Sequence, residues 1–272
     1  ERFTLSLQAE SDPGLLGPQD LVVVAVKAPA LAAVAPLIAP LLSERTRLLV
    51  AMNGVPWWFL EGHVLQSVDP GGVIAAHIPR ERVIGCVVHA ACSVLEPGLI
   101  HHKQGAGLII GTPKGGPREQ DAALQITAAL LERAGFELSV SEHIQRDIWF
   151  KLWGNMTMNP ISALTGATLD RILDDELVRG FVDAVMREAA AIGARIGCVI
   201  EQTPDERHAV TRKLGAFKTS MLQDVEAGRP IELMALVGAV QEIGHHVGVS
   251  TPNTDALLGL TRLMAQTRGL SF

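Results

Sequence analysis

The chain has 272 residues, 48% of them hydrophobic and 19% charged, a balance that excludes an intrinsically disordered chain. The length favours two domains over one small core, and a net charge of -6 offers no basic face for nucleic acid, although a pocket can still be locally basic. No signal-peptide pattern opens the chain, and its longest apolar stretch, 28–42, is broken by Pro29, Pro36 and Pro40 and falls short of the roughly 20 residues of a membrane span, so neither nucleic acid nor membrane is an expected partner and the cytoplasm is the default location.

The first predicted element is a half-buried strand over Phe3–Gln8, where apolar and polar residues alternate. A turn-rich loop over 11–19 leads to Leu21–Val26, a continuous valine-rich run that predicts a buried parallel strand, and Pro29 can open the helix after it. Leu48–Met52 is the next buried strand and ends in the turn signal Asn53-Gly54. Val83–His89, Leu108–Gly111 and Glu137–Val140 follow as strands, with a helix predicted from about Glu119 to Ala134. Alternation of strands and helices to residue 140 predicts an α/β domain with a largely parallel, doubly wound sheet. Beyond Glu142 the helical period dominates, with helices predicted over 170–193, 203–227 and 232–246. The fold class is therefore α/β plus all-α, with the boundary near 141–145.

Cys86, Cys92 and Cys198 form no CxxC pair, and an odd, sparse set argues against disulfides; all three are expected as buried reduced thiols. No metal ligand set is expected.

Three places carry candidate chemistry. Lys151, Asn155 and Asn159 are spaced i, i+4, i+8 and fall on one face of a helix crowded with apolar residues, where polar groups need partners. A solvated helix face is the plainer alternative, but asparagine is a poor helix former and two on one stripe need a reason. Ser220 and Glu232 lie in and after SMLQD; Ser220 can donate to a carboxylate, and Glu232 follows Pro230 near a helix start, where plain helix-start decoration stays open as an alternative. Lys27 and Asn53 each follow an apolar strand, the position at which doubly wound folds bind ligands, although a surface lysine at a strand exit is the plainer reading of Lys27 alone.

The segments VVAVKAPAL, MNGVPWW, WFKLWGNMTMNP and SMLQDVEAGRPIE, in this order, resemble the ketopantoate reductases (2-dehydropantoate 2-reductases), from about Gln19 to the C-terminus. The resemblance implies NADPH-dependent reduction of the 2-keto acid ketopantoate to pantoate, in pantothenate and coenzyme A biosynthesis. It implies an NADP-binding Rossmann-like domain over 1–142 and a helical substrate and catalytic domain over 143–272, with the active site between them. By motif, Lys151 resembles the catalytic lysine and Glu232 the active-site glutamate, also placed toward the cofactor. Asn155, Asn159 and Ser220 resemble substrate-binding residues, and Lys27, Asn53 and Ala91 resemble cofactor-contacting ones. A homodimer is the candidate assembly.

Two departures accompany the resemblance. The family's opening strand and its GxGxxG pyrophosphate loop are absent, and Gly105-Ala106-Gly107 has no third glycine or following helix. The sequence therefore reads as lacking the N-terminal βαβ unit, and as written it is expected to bind a dinucleotide poorly. Leu169 stands where some members place a further asparagine for substrate. A related reductase of another 2-keto acid and a non-catalytic NADP-binding sensor stand as rival readings.

Overall fold

The computed structural model describes residues 4–117 and 121–272. Five strands form one sheet in the order β1 (Leu21–Val24), β2 (Arg47–Ala51), β3 (Val83–Glu96), β4 (Leu99–Gly111) and β5 (Glu137–Val140). β1, β2 and β3 run parallel, as do β4 and β5. The β3–β4 pair is an antiparallel hairpin, turning at Pro97-Gly98. The two predicted strands at Val83–His89 and Leu108–Gly111 are thus the inner ends of much longer ones. Their outer ends expose apolar side chains such as Val94 and Ile100, so buried-run patterning could not reveal them.

Side chains on successive residues of the sheet enter different cores, as the two-residue strand period requires. Leu49, Ile84, Cys86 and Ile110 face the helix α3 (Ala122–Arg133), which contributes Leu124, Ala128 and Leu131. Leu48, Val50, Val83 and Val87 face the opposite way, into a larger apolar cluster that continues through the C-terminal helices to Leu270. On the N-terminal side, α1 (Ala28–Val34) opens with Pro29 in its first turn, and α2 (Val73–His77) lies between β2 and β3 in sequence.

No strand follows Val140 among the described residues; the rest is helical. The elements are α4 (Ile144–Thr165), α5 (Leu169–Asp174), α6 (Glu176–Arg195), α7 (Pro204–Arg212), α8 (Ser220–Glu226), α9 (Ala239–His246) and α10 (Pro252–Thr267). Each of the three long helices predicted here is interrupted. Asp175 takes an extended conformation and caps α6 by accepting from the N–H groups of Leu177 and Val178, which splits 170–193. Gly215, at φ +61°, and the cap Thr219 split 203–227. The segment Met234–Gly238 winds as a π-helix before α9 begins.

The N-terminal alternation does not make a strand: residues 4–10 are irregular, with Leu5 and Leu7 exposed, while Phe3 lies outside the described residues. The start of the predicted helix, Glu119–Gln120, also lies outside them. Cys86 and Cys198 are buried, and burial pushes both thiols up to about 11; Cys92 is exposed, because it lies on the outer part of the hairpin. No helix among the described residues is long and apolar enough to cross a membrane.

Candidate active site

α4 is buried on most of its sides, and this is what fixes its polar groups. Trp149 and Trp153 pack against α6 and donate their indole N–H groups to the carbonyls of Ala189 (3.2 Å) and Met186 (2.7 Å). Gly193 on α6 admits Trp149, since a Cβ there would lie 2.5 Å from the indole nitrogen. With one face locked in this way, the stripe Lys151, Asn155, Asn159 turns into a cleft of about 1120 Å³. The helix runs through Pro160 as one element to Thr165.

The cleft opens at the carboxyl ends of β1 and β2 and along the outer part of β3. Lys151 reaches across to them, its Nζ donating to Asn53 Oδ1 (2.8 Å) and to the carbonyl of Val88 (2.7 Å). Asn53 in turn donates from Nδ2 to Glu232 Oε2, a long contact of 3.4 Å, and the N–H of Ala28 reaches Glu232 Oε1 at the same distance. Gly54 makes this chain possible. Its φ is +81°, and a Cβ would lie 2.6 Å from the Ala235 carbonyl oxygen, the oxygen that accepts from Val55 N–H. The strand-end turn thereby docks on the helical segment that begins just after Glu232.

Burial lowers the Lys151 ammonium to about 8, with the Cys86 thiol and the Glu232 carboxylate acting to hold it up. Burial also raises Glu232, opposed by its bonds from Ala28 and Asn53. The outcome is an ammonium charged at neutral pH yet within about a unit of releasing its proton.

All eight residues singled out in the sequence line this cleft, but not in one contact network. Lys151, Asn53 and Glu232 form a chain; Asn159 donates to Ser220 Oγ at 3.5 Å, with Ser220 at the exposed first turn of α8. Asn155 has no side-chain hydrogen bond among the described residues, and Ala91 lies in the irregular part of the β3–β4 pairing. Lys27 is committed elsewhere: its Nζ lies 2.6 Å from Asp224 Oδ2 and 3.2 Å from the carbonyl of Pro230. Asp224 also takes Arg229 Nε at 3.1 Å. Leu169 is buried on the cleft wall.

Sequence reading missed Asp224, His89 and Arg207. Asp224 stands inside SMLQD and was within reach; Arg207 was not, because PDERHAVTRK reads as a solvated helix. His89 sits at the rim, its pKa lowered by burial and then by the charges of Lys151 and Arg207.

Two family models cover most of the chain: Ketopantoate reductase PanE/ApbA over residues 2–115, and its C-terminal counterpart over 143–265. A curated relative, the 2-dehydropantoate 2-reductase of Mesorhizobium japonicum, is 45% identical over 93% of this chain and 79% of its own length. Among solved structures, a provisionally assigned ketopantoate reductase from Ralstonia solanacearum MolK2 is 60% identical with a TM-score of 0.94, covering 98% of this chain and 83% of that one. The 2-dehydropantoate 2-reductase of Geobacter metallireducens is 27% identical with a TM-score of 0.80, covering 93% of this chain and 79% of that one.

Proposed function

The chain belongs to the ketopantoate reductase family, and from that premise we propose that it reduces a 2-keto acid, ketopantoate in the first instance, with NADPH. The observation that carries this reading is Lys151: a buried ammonium at about 8, aimed by Asn53 and Val88 into a cleft at the strand ends. We assign residues 1–142 to cofactor binding and 143–272 to substrate and catalysis.

The cleft has room for the reacting end of a cofactor beside a substrate. Its volume of about 1120 Å³ exceeds that of an ordinary small-molecule pocket, and its strand-end side is lined by small residues, Ala25, Ala51, Ala90 and Ala91. Lys27, Asn53 and Ala91 would hold the cofactor, which supplies the hydride when bound. Lys151 stabilises the charge that develops on the ketone oxygen and donates its proton there. Asn155 and Asn159 hold substrate oxygens from the same helix face, and Ser220 holds the carboxylate. Glu232, acting through Asn53, keeps Lys151 oriented.

The test is loss of NADPH absorbance when ketopantoate is added to full-length protein. Oxidation at the expected rate supports the reading, and no oxidation with any 2-keto acid overturns it. Leu169 favours a second reading in which another 2-keto acid is preferred: a buried leucine stands on the cleft wall where the resemblance leads one to expect an asparagine. Ranking several 2-keto acids by kcat/KM decides between the two.

A further inference from the structure

The cations around the cleft are satisfied in different ways. Lys27 and Arg229 share Asp224, and Lys151 is held by Asn53 and a backbone carbonyl. Arg207, on α7, lines the same cleft with no acid and no side-chain hydrogen bond among the described residues. Its Nε is buried without an acceptor. Burial lowers its pKa and no neighbouring carboxylate offsets that. Its guanidinium instead lies over the ring of Phe150, 5.1 Å from the centroid. A half-buried guanidinium whose Nε has no acceptor is costly, and its planar fork matches a carboxylate.

The placement is specific. The guanidinium rests on Gly154 of α4, where a Cβ would come within 2.9 Å of its Nη2 and 3.0 Å of its Nε. Gly154 lies three residues after Lys151 and one before Asn155, so the charge is seated beside the reactive stripe. Met158, Leu169, Leu214 and Phe217 line the same cleft, and apolar walls of this kind strengthen a charge pair relative to water.

We propose that Arg207 receives the carboxylate of the 2-keto acid and is a specificity-determining residue of this site, with Gly154 holding open the space its guanidinium occupies. The proposal rests on the reductase reading above. Ser220 then adds a hydroxyl donor to an anion whose charge Arg207 matches.

Two variants test it, with calorimetric titration of ketopantoate and of its uncharged methyl ester in the presence of NADP⁺. Arg207→Met keeps much of the apolar contact with Phe150 but removes the charge. It is expected to weaken binding of the acid about 10- to 100-fold while leaving the ester and NADP⁺ within about twofold. Gly154→Ala keeps the arginine but displaces its guanidinium; alanine favours the helix, so the melting temperature should hold while acid affinity falls. Equal weakening of acid and ester, or unchanged acid binding in both variants, overturns the proposal. If no 2-keto acid is reduced but Arg207→Met still loses acid binding selectively, the reductase reading falls and the role of Arg207 stands. If the acid is reduced and bound normally by both variants, the reverse holds.

Discussion

On one side of the cleft, the strands present backbone and small side chains such as Ala25, Ala51, Ala90 and Ala91, with Lys27, Asn53, His89, Ser93 and Gln104 as the polar residues among them. On the other, α4, α7 and α8 present Lys151, Asn155, Asn159, Arg207 and Ser220. The strand ends are positioned by a sheet packed on both faces, so what they offer is shape. The helices pack through one face and can turn titratable groups inward with the other. A ligand that needs a flat, fitted wall belongs against the strands, and a reacting carbonyl belongs against α4.

The sharpest test of that division is Lys151→Ala. It is expected to lower kcat about 10²–10⁴-fold with little change in NADPH affinity, because loss of a positioned acid acts on the reaction and not on the strand-end wall. Lys151→Arg should not restore the rate, since guanidinium keeps the charge but releases its proton reluctantly. Near-normal kcat in Lys151→Ala, measured by steady-state kinetics beside a thermal melt, would break the comparison.

The pH profile gives the next effect in size. The proposed donor Lys151 can act only when protonated, and its pKa is lowered from 10.5 to about 8. Reduction should therefore be flat below that point and fall about tenfold per pH unit above it. A profile that holds to about pH 10 would mean that the desolvated lysine is not the donor.

Gly54→Ala attacks the joint between the two walls. A Cβ at φ +81°, pressed on the Ala235 carbonyl, should destabilise the fold by roughly 1–3 kcal/mol and shift Asn53 away from Lys151. A thermal melt read with kcat tests this; a variant as stable and as active as the parent removes the joint from the account. The smallest effect belongs to Lys27→Ala. Lys27 is partly exposed and already paired with Asp224, so the KM for NADPH should rise only a few-fold, and by more than that for NADH. Equal changes for both cofactors would show that Lys27 does not read a phosphate.

The strand cores and the stripe on α4 were legible because both are periodic signals. Leu21–Val24 and Glu137–Val140 sit where continuous or alternating apolar runs place them, and Lys151, Asn155 and Asn159 share a helix face by spacing alone. The outer hairpin was not legible, because its exposed residues answer to no core. The break at Asp175 was not, because one capping carboxylate outweighs the apolar period on either side of it. The ion pair of Lys27 with Asp224 joins residues far apart in the chain and has no local signature. Arg207 sits in a helix whose composition reads as solvated, and its packing on Gly154 and Phe150, residues distant in sequence, seats it on the cleft.

α4 carries structure and chemistry on neighbouring residues: Trp149 and Trp153 anchor it to α6, and Lys151 stands between them. In a saturation-mutagenesis screen scored only by growth or turnover, this stretch should therefore appear as an unbroken intolerant band and not as a three-residue stripe. Trp153→Ala would rank beside Lys151→Ala for opposite reasons, one emptying a core and the other removing a proton. Scoring the same library for abundance as well as activity would separate them, leaving Lys151 abundant and silent while the tryptophan variants disappear.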